Sequence, residues 1–148
     1  MPRGCDHSVP SAFVNGAAAV LYVKNLRRMQ AFYATCFKMD VADEAEDYCV
    51  LESESLTLSL VAVPKRIAAT IHLSVPPSRR DEVPVKLAFA VASIVVLRPL
   101  FAELGGSIDP TNAQGEFRDS IHVDGVDPEG NVIQLLEPTA QTISQTRS

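Results

Sequence analysis

The sequence predicts an α+β fold made of two tandem β-α-β-β-β modules, and three observations carry that prediction. The order strand, helix and further short strands occurs twice at constant spacing. Prolines and glycines fall mostly between the periodic segments. The chain has 148 residues, 47% of them hydrophobic and 21% charged, which suits one shared core rather than two large domains.

The first module opens with Ala17-Ala18-Ala19-Val20-Leu21-Tyr22-Val23, a β-like run. Asn25 then offers a side-chain oxygen to the free amides of a helix start. Leu26, Met29, Phe32, Tyr33, Cys36 and Phe37 recur at helical spacing. Strands are expected at 39–42, 48–52 and 56–63. In the last, Leu56, Leu58 and Leu60 share one face while Thr57 and Ser59 share the other.

The second module repeats this order. A strand is expected at 86–91, and Ser93 is the candidate N-cap. Ile94, Leu97, Leu100, Phe101 and Leu104 follow at helical spacing, and Gly105-Gly106 ends the helix. Strands are expected at 107–108, 117–123 and 131–137. The two blocks superpose Ala18 on Lys86, Leu21 on Phe89, Leu26 on Ile94 and Met29 on Leu97, a constant offset of 68 (from 18 to 86). Pro99 conflicts with a regular helix because it lacks an N–H and clashes with the preceding turn, so the helix is either kinked there or begins only near Leu97, a late start or a distorted first turn being the preferred reading. The resulting organisation is a leader (1–16), a first module (17–63), a connecting arm (64–84), a second module (85–138) and a tail (139–148).

Charge and cysteine usage narrow the partners. The net charge is -5 and no basic stripe exists, which argues against nucleic acid. No apolar run reaches the roughly 18 residues that cross a bilayer, so no membrane partner is expected. The apolar stretch 16–23 is short for a signal peptide. Cys5, Cys36 and Cys49 have no paired spacing, so the reading is a cytoplasmic protein with buried thiols at Cys36 and Cys49.

The repeated block, with Asn25-Leu26, Ala31-Phe32-Tyr33 and above all Asp127-Pro128-Glu129-Gly130-Asn131 before a final strand, resembles the vicinal oxygen chelate superfamily. Glyoxalases, extradiol dioxygenases, fosfomycin-resistance enzymes and bleomycin-resistance proteins belong to it. The resemblance covers 17–138. It implies two curved half-sheets around a ligand cavity with helices outside. It also implies that metal-dependent members take one ligand from the first and last strand of each module, usually His or Glu. In this chain those positions are Ala18, Ser59, Lys86 and Gln134. Alanine has no donor atom, an ammonium repels a divalent ion, and Ser and Gln are weak ligands, so no metal and no cofactor are expected. His7, His72 and His122 have no close ligand spacing either, although His122 with Asp124 or Glu52 is one conceivable set.

Strand parity places Leu21, Val23, Leu58, Leu60, Leu87, Phe89, Ile133 and Leu135 under the helices. The opposite parity then lines the cavity with Ala18, Val20, Tyr22, Thr57, Ser59, Lys86, Ala88, Ala90, Val132 and Gln134. Arg118, Ser120 and His122 join them from the strand before the DPEGN turn. The expected ligand-binding set is Tyr22, Ser59, Lys86, Arg118, His122 and Gln134, with His122 the only candidate base. Lys86 and Arg118 make this interior cationic, which suits a small molecule bearing a carboxylate or phosphate. The reading is a small-molecule-binding protein without catalysis, forming a homodimer, with the arm over the cavity mouth or on the second subunit. The alternatives are a lyase or isomerase of the glyoxalase-like superfamily and an antibiotic-sequestering resistance protein. Phe13, Tyr22 and Phe37 are the few aromatic candidates for the latter.

Overall fold

The strand β1 (Ala17–Val23) is apolar throughout but its burial alternates between two faces, and it pairs in parallel with β4 (Leu56–Ala62). The computed structural model describes residues 16–139. The expected leader, with Cys5, His7 and Phe13, and the tail after Thr139 lie outside the described residues. Between β1 and β4 come α1 (Leu26–Cys36), β2 (Asp40–Glu44) and β3 (Tyr48–Glu52), giving a sheet of order β1-β4-β3-β2. Asn25 caps α1, its side chain accepting the Arg28 N–H at 3.2 Å. The helix buries Leu26, Met29, Phe32, Tyr33 and Cys36, the residues at helical spacing.

A short helix, α2 (Lys65–Ala68), begins the arm. The second module contains β5 (Ala88–Ala90), α3 (Ile94–Glu103), β6 (Ser107–Ile108), β7 (Gly115–Phe117), β8 (Ser120–Val126) and β9 (Val132–Pro138). Its order β5-β9-β8-β6 repeats that of the first sheet. Ser93 caps α3 as Asn25 caps α1, accepting from the Val96 N–H at 3.2 Å. Val20 lies beside Ser59 and Ala88 beside Gln134, so the equivalence of Ser59 and Gln134 holds in the strand register.

Three expectations need correction. The second helix starts at Ile94 with Pro99 inside it, not near Leu97. Ile94, Leu97 and Phe101 are buried, and that packing outweighs the hydrogen bond lost at Pro99. Next, the strand expected at 117–123 is a hairpin: Arg118 and Asp119 adopt φ of 49° and 62° in the two-residue turn between β7 and β8. Both residues take left-handed backbone, as this kind of hairpin turn requires, without the usual Asn or Gly. Finally, β5 is shorter than expected, and Lys86 precedes it.

One core joins the modules. The rings of Phe32 and Phe101 meet at 4.8 Å, and Phe37 stacks on Phe89 at 4.0 Å. Gly106 allows this approach, because a Cβ there would stand 2.7 Å from the Phe32 ring and 2.5 Å from the Val126 carbonyl. The DPEGN turn adds a polar staple. Asp127, fully buried, accepts from the Tyr33 hydroxyl at 2.7 Å, the Asn131 amide at 2.8 Å and the Glu129 and Asn131 backbone N–H groups. Glu129 reaches back to the first module, accepting from the Lys24 and Asn25 N–H groups at 2.8 Å. The tight turn therefore also supplies two carboxylates to an intermodule junction.

Candidate functional site

Each sheet has one face turned away from the core. On the first sheet this face carries Ala18, Val20 and Tyr22 from β1 with Thr57 and Ser59 from β4. Val20 and Tyr22 are 59% and 68% exposed, while Val23, Leu58 and Leu60 on the other side are buried. The Thr57 hydroxyl is buried and has no hydrogen-bond partner. On the second sheet the open face carries Lys86, Ala88 and Ala90, Gln134 from β9, and Ser120, His122 and Asp124 from β8. His122 lies across from Gly115, where a Cβ would come within 2.9 Å of its ring.

The expected residues divide in two. Lys86, Gln134 and His122 share the open face of the second sheet, and Tyr22 and Ser59 share that of the first. Arg118 joins neither: it sits exposed at the β7–β8 turn, because that stretch folds back instead of continuing as a strand. Val132 has the expected parity but is buried. The strands β1 and β5 each end their own sheet, and among the described residues no strand pairing links the two sheets. Two surface hollows, of about 530 and 400 Å³, flank α1 at Arg27 and at Lys24, and neither includes Lys86, Gln134 or Tyr22.

The charge of the face also differs from the expectation. Lys86 Nζ donates to both Asp124 oxygens, at 2.9 and 3.1 Å. Arg79, from the arm, donates to Asp109 at 2.7 Å, Asp81 at 2.8 Å and Asp124 at 3.5 Å. Two cations thus meet three carboxylates, and the expected cationic interior is absent. Asp124 has the parity of Ser120 and His122 but lies one residue past the expected strand end at 123, so the sequence names it beside His122 without placing it on this face. Arg79 is the residue the sequence does not point to; its only signal is the basic pair Arg79-Arg80 within the arm.

The four positions that would hold a family-type metal do not fit one. Ala18 offers no donor, and the Lys86 ammonium is committed to Asp124. Among the described residues no group of three His, Cys, Asp or Glu side chains is placed to hold a metal ion. Among the described residues the cysteines offer no nucleophile at this face: Cys36 and Cys49 are both buried, and burial pushes the Cys36 thiol up to about 12.

No sequence-family description and no curated protein matches the chain. Solved structures do match. A glyoxalase/bleomycin resistance protein/dioxygenase family enzyme from Burkholderia phytofirmans PsJN superposes with a TM-score of 0.61 at 16% identity, covering 81% of this chain and 95% of that one. The fosfomycin resistance protein FosX from Listeria monocytogenes gives 0.58 at 14% identity, covering 84% and 93%. A glyoxalase family protein from Enterococcus faecalis gives 0.56 at 19% identity, covering 81% and 94%. At these identities the likeness concerns the fold. No helix among the described residues is long and apolar enough to cross a membrane.

Proposed function

We propose that this chain, which has the glyoxalase-type fold of the vicinal oxygen chelate superfamily, is a small-molecule-binding protein that works without the metal of its relatives. The observation that carries this reading is the Lys86–Asp124 pair. Where a metal-dependent member places a ligand, this chain places a cation of its own, 2.9 Å from a carboxylate. Gln134 and His122 offer further polar groups on the same face, and Val20 and Tyr22 offer an apolar wall on the other sheet. The ligand is a small organic molecule with an apolar body and a polar group that hydrogen-bonds to Lys86 and Gln134. With Asp124 already opposite Lys86, the ligand need not be an anion; a carboxylate or phosphate would compete with Asp124 for the ammonium.

The proposed site is completed by a second copy of the chain. Two edge strands with exposed Val20 and Tyr22 on one and Ala88 and Ala90 on the other support this, since a homodimer would set the first face of one copy against the second face of its partner. Light scattering across micromolar concentrations is expected to give a dimer mass. A monomer throughout that range rules out the two-copy site.

Ligand binding is tested by thermal-shift screening with small organic acids and aromatic compounds. Lys86→Met is expected to weaken the compounds that stabilise the wild type by roughly tenfold, the value of a lost charge-assisted hydrogen bond. If every compound shifts both proteins equally, the site does not lie on this face. Drug sequestration is the second reading, favoured by the exposed Tyr22 ring as a stacking surface; a Tyr22→Ala protein that retains all aromatic ligands excludes it.

A further inference from the structure

The arm between the modules is fastened at two points. Lys24 Nζ donates to the Ile71 carbonyl, on the first module's side. On the second module's side the Arg80 N–H donates to the Gly130 carbonyl at 2.9 Å, and Arg80 Nε to the Glu129 carbonyl at 3.2 Å. The chain lies so close to the DPEGN turn that a Cβ on Gly130 would stand 2.0 Å from the Ser78 carbonyl oxygen. From there Arg79 extends onto the open face of the second sheet. Its guanidinium meets Asp109 and Asp124, and Asp124 is the same carboxylate that Lys86 holds.

We propose that the arm is an ionic strap, and that Arg79 occupies the polar end of the ligand face until it releases Asp124. This rests on the reading that the face takes a ligand. Ionic contacts govern the release because the arm buries little apolar surface of its own: Ile67, Val75 and Val83 are exposed, and Ile71 and Leu73 are only half-buried. The Arg79 pairs are partly solvated, with side chains about a third exposed, so each is weak alone and sensitive to salt. Release would leave Lys86 and Asp124 accessible beside Gln134, and a small molecule could then take the position of the guanidinium. The strap thereby couples ligand entry to ionic strength.

Hydrogen exchange on the full chain tests the clasp without any ligand. Arg79→Gln and Asp109→Asn, or salt near 1 M, are expected to speed exchange of the Arg80 amide about fivefold to tenfold. The Val123 and Leu135 amides, in the buried ladder, should keep their protection. Unchanged Arg80 exchange in both variants and in high salt overturns the strap. Binding of the neutral dye Nile red tests the gate, and Asp109→Asn should raise its affinity by a similar factor. An opened arm with unchanged dye affinity overturns the gating role. If no form binds the dye, the ligand-face reading fails and the gating with it, while the Arg80 amide still reports the clasp.

Discussion

Asp127→Ala is expected to destabilise the protein by about 3–4 kcal/mol, read as a lowered urea midpoint at unchanged slope. The substitution strands the Tyr33 hydroxyl, the Asn131 amide and two backbone N–H groups in a dry site. Asp127→Asn separates charge from hydrogen bonding. Burial pushes the Asp127 carboxyl above its ordinary range, and the bonds from Tyr33 and Asn131 only partly pull it back. A raised value means that the folded protein holds this proton more tightly than the unfolded chain does. The contribution is therefore fully present below the ordinary carboxylate range and is lost as pH rises through the raised folded value. The stability gap between wild type and Asp127→Asn should accordingly be widest in acid and shrink towards neutrality. A gap that widens with rising pH contradicts the assignment. Tyr33 shows the complementary effect: burial first, then the Asp127 carboxylate, holds its hydroxyl well above the usual range.

Phe32→Ala is expected to cost about 3–5 kcal/mol, the range for truncating a fully buried aromatic. Its ring touches Tyr33 and Phe37 within the first module and Phe101 in the second. The loss should therefore appear as one transition moved as a whole. If fluorescence or amide probes in the two modules separate in the variant while they coincide in the wild type, the ring is the coupling point. If the wild type itself unfolds in two steps, the single core spanning both modules is wrong.

Much of this architecture was legible in the chain because it is written locally. The caps Asn25 and Ser93, the buried stripes of α1 and α3, and the alternation of β1 and β4 each depend on neighbours within a few residues. The offset of 68 between modules then extends local patterns to the whole fold. What escaped was nonlocal or lacked its usual signal. The turn at Arg118-Asp119 uses left-handed backbone without a glycine or asparagine, so the stretch read as a continuous strand. That error displaced Arg118 from the face on which it was expected. Asp124, named in the sequence only as a conceivable companion of His122, falls one residue beyond the expected strand end and so had no assigned face. Arg79 could not be placed, since nothing in an arm's sequence says which face it crosses. Lys86, Gln134 and His122 share one sheet face, as strand parity placed them, but the charge balance of that face differs from the expected one.

The position of Glu129 has a consequence for how the protein is made. It holds the backbone at Lys24 and Asn25 from more than a hundred residues downstream. During translation the first helix emerges early, but the carboxylate that fastens its entrance leaves the ribosome about a hundred residues later. The β5–β9 pairing likewise joins residues 88–90 to 134–136. The nascent chain must therefore hold both helices and their apolar stripes unfinished until β9 is out. A ribosome stalled before the DPEGN turn should display a chain open to protease at the β1–α1 junction, and one stalled well beyond it should not.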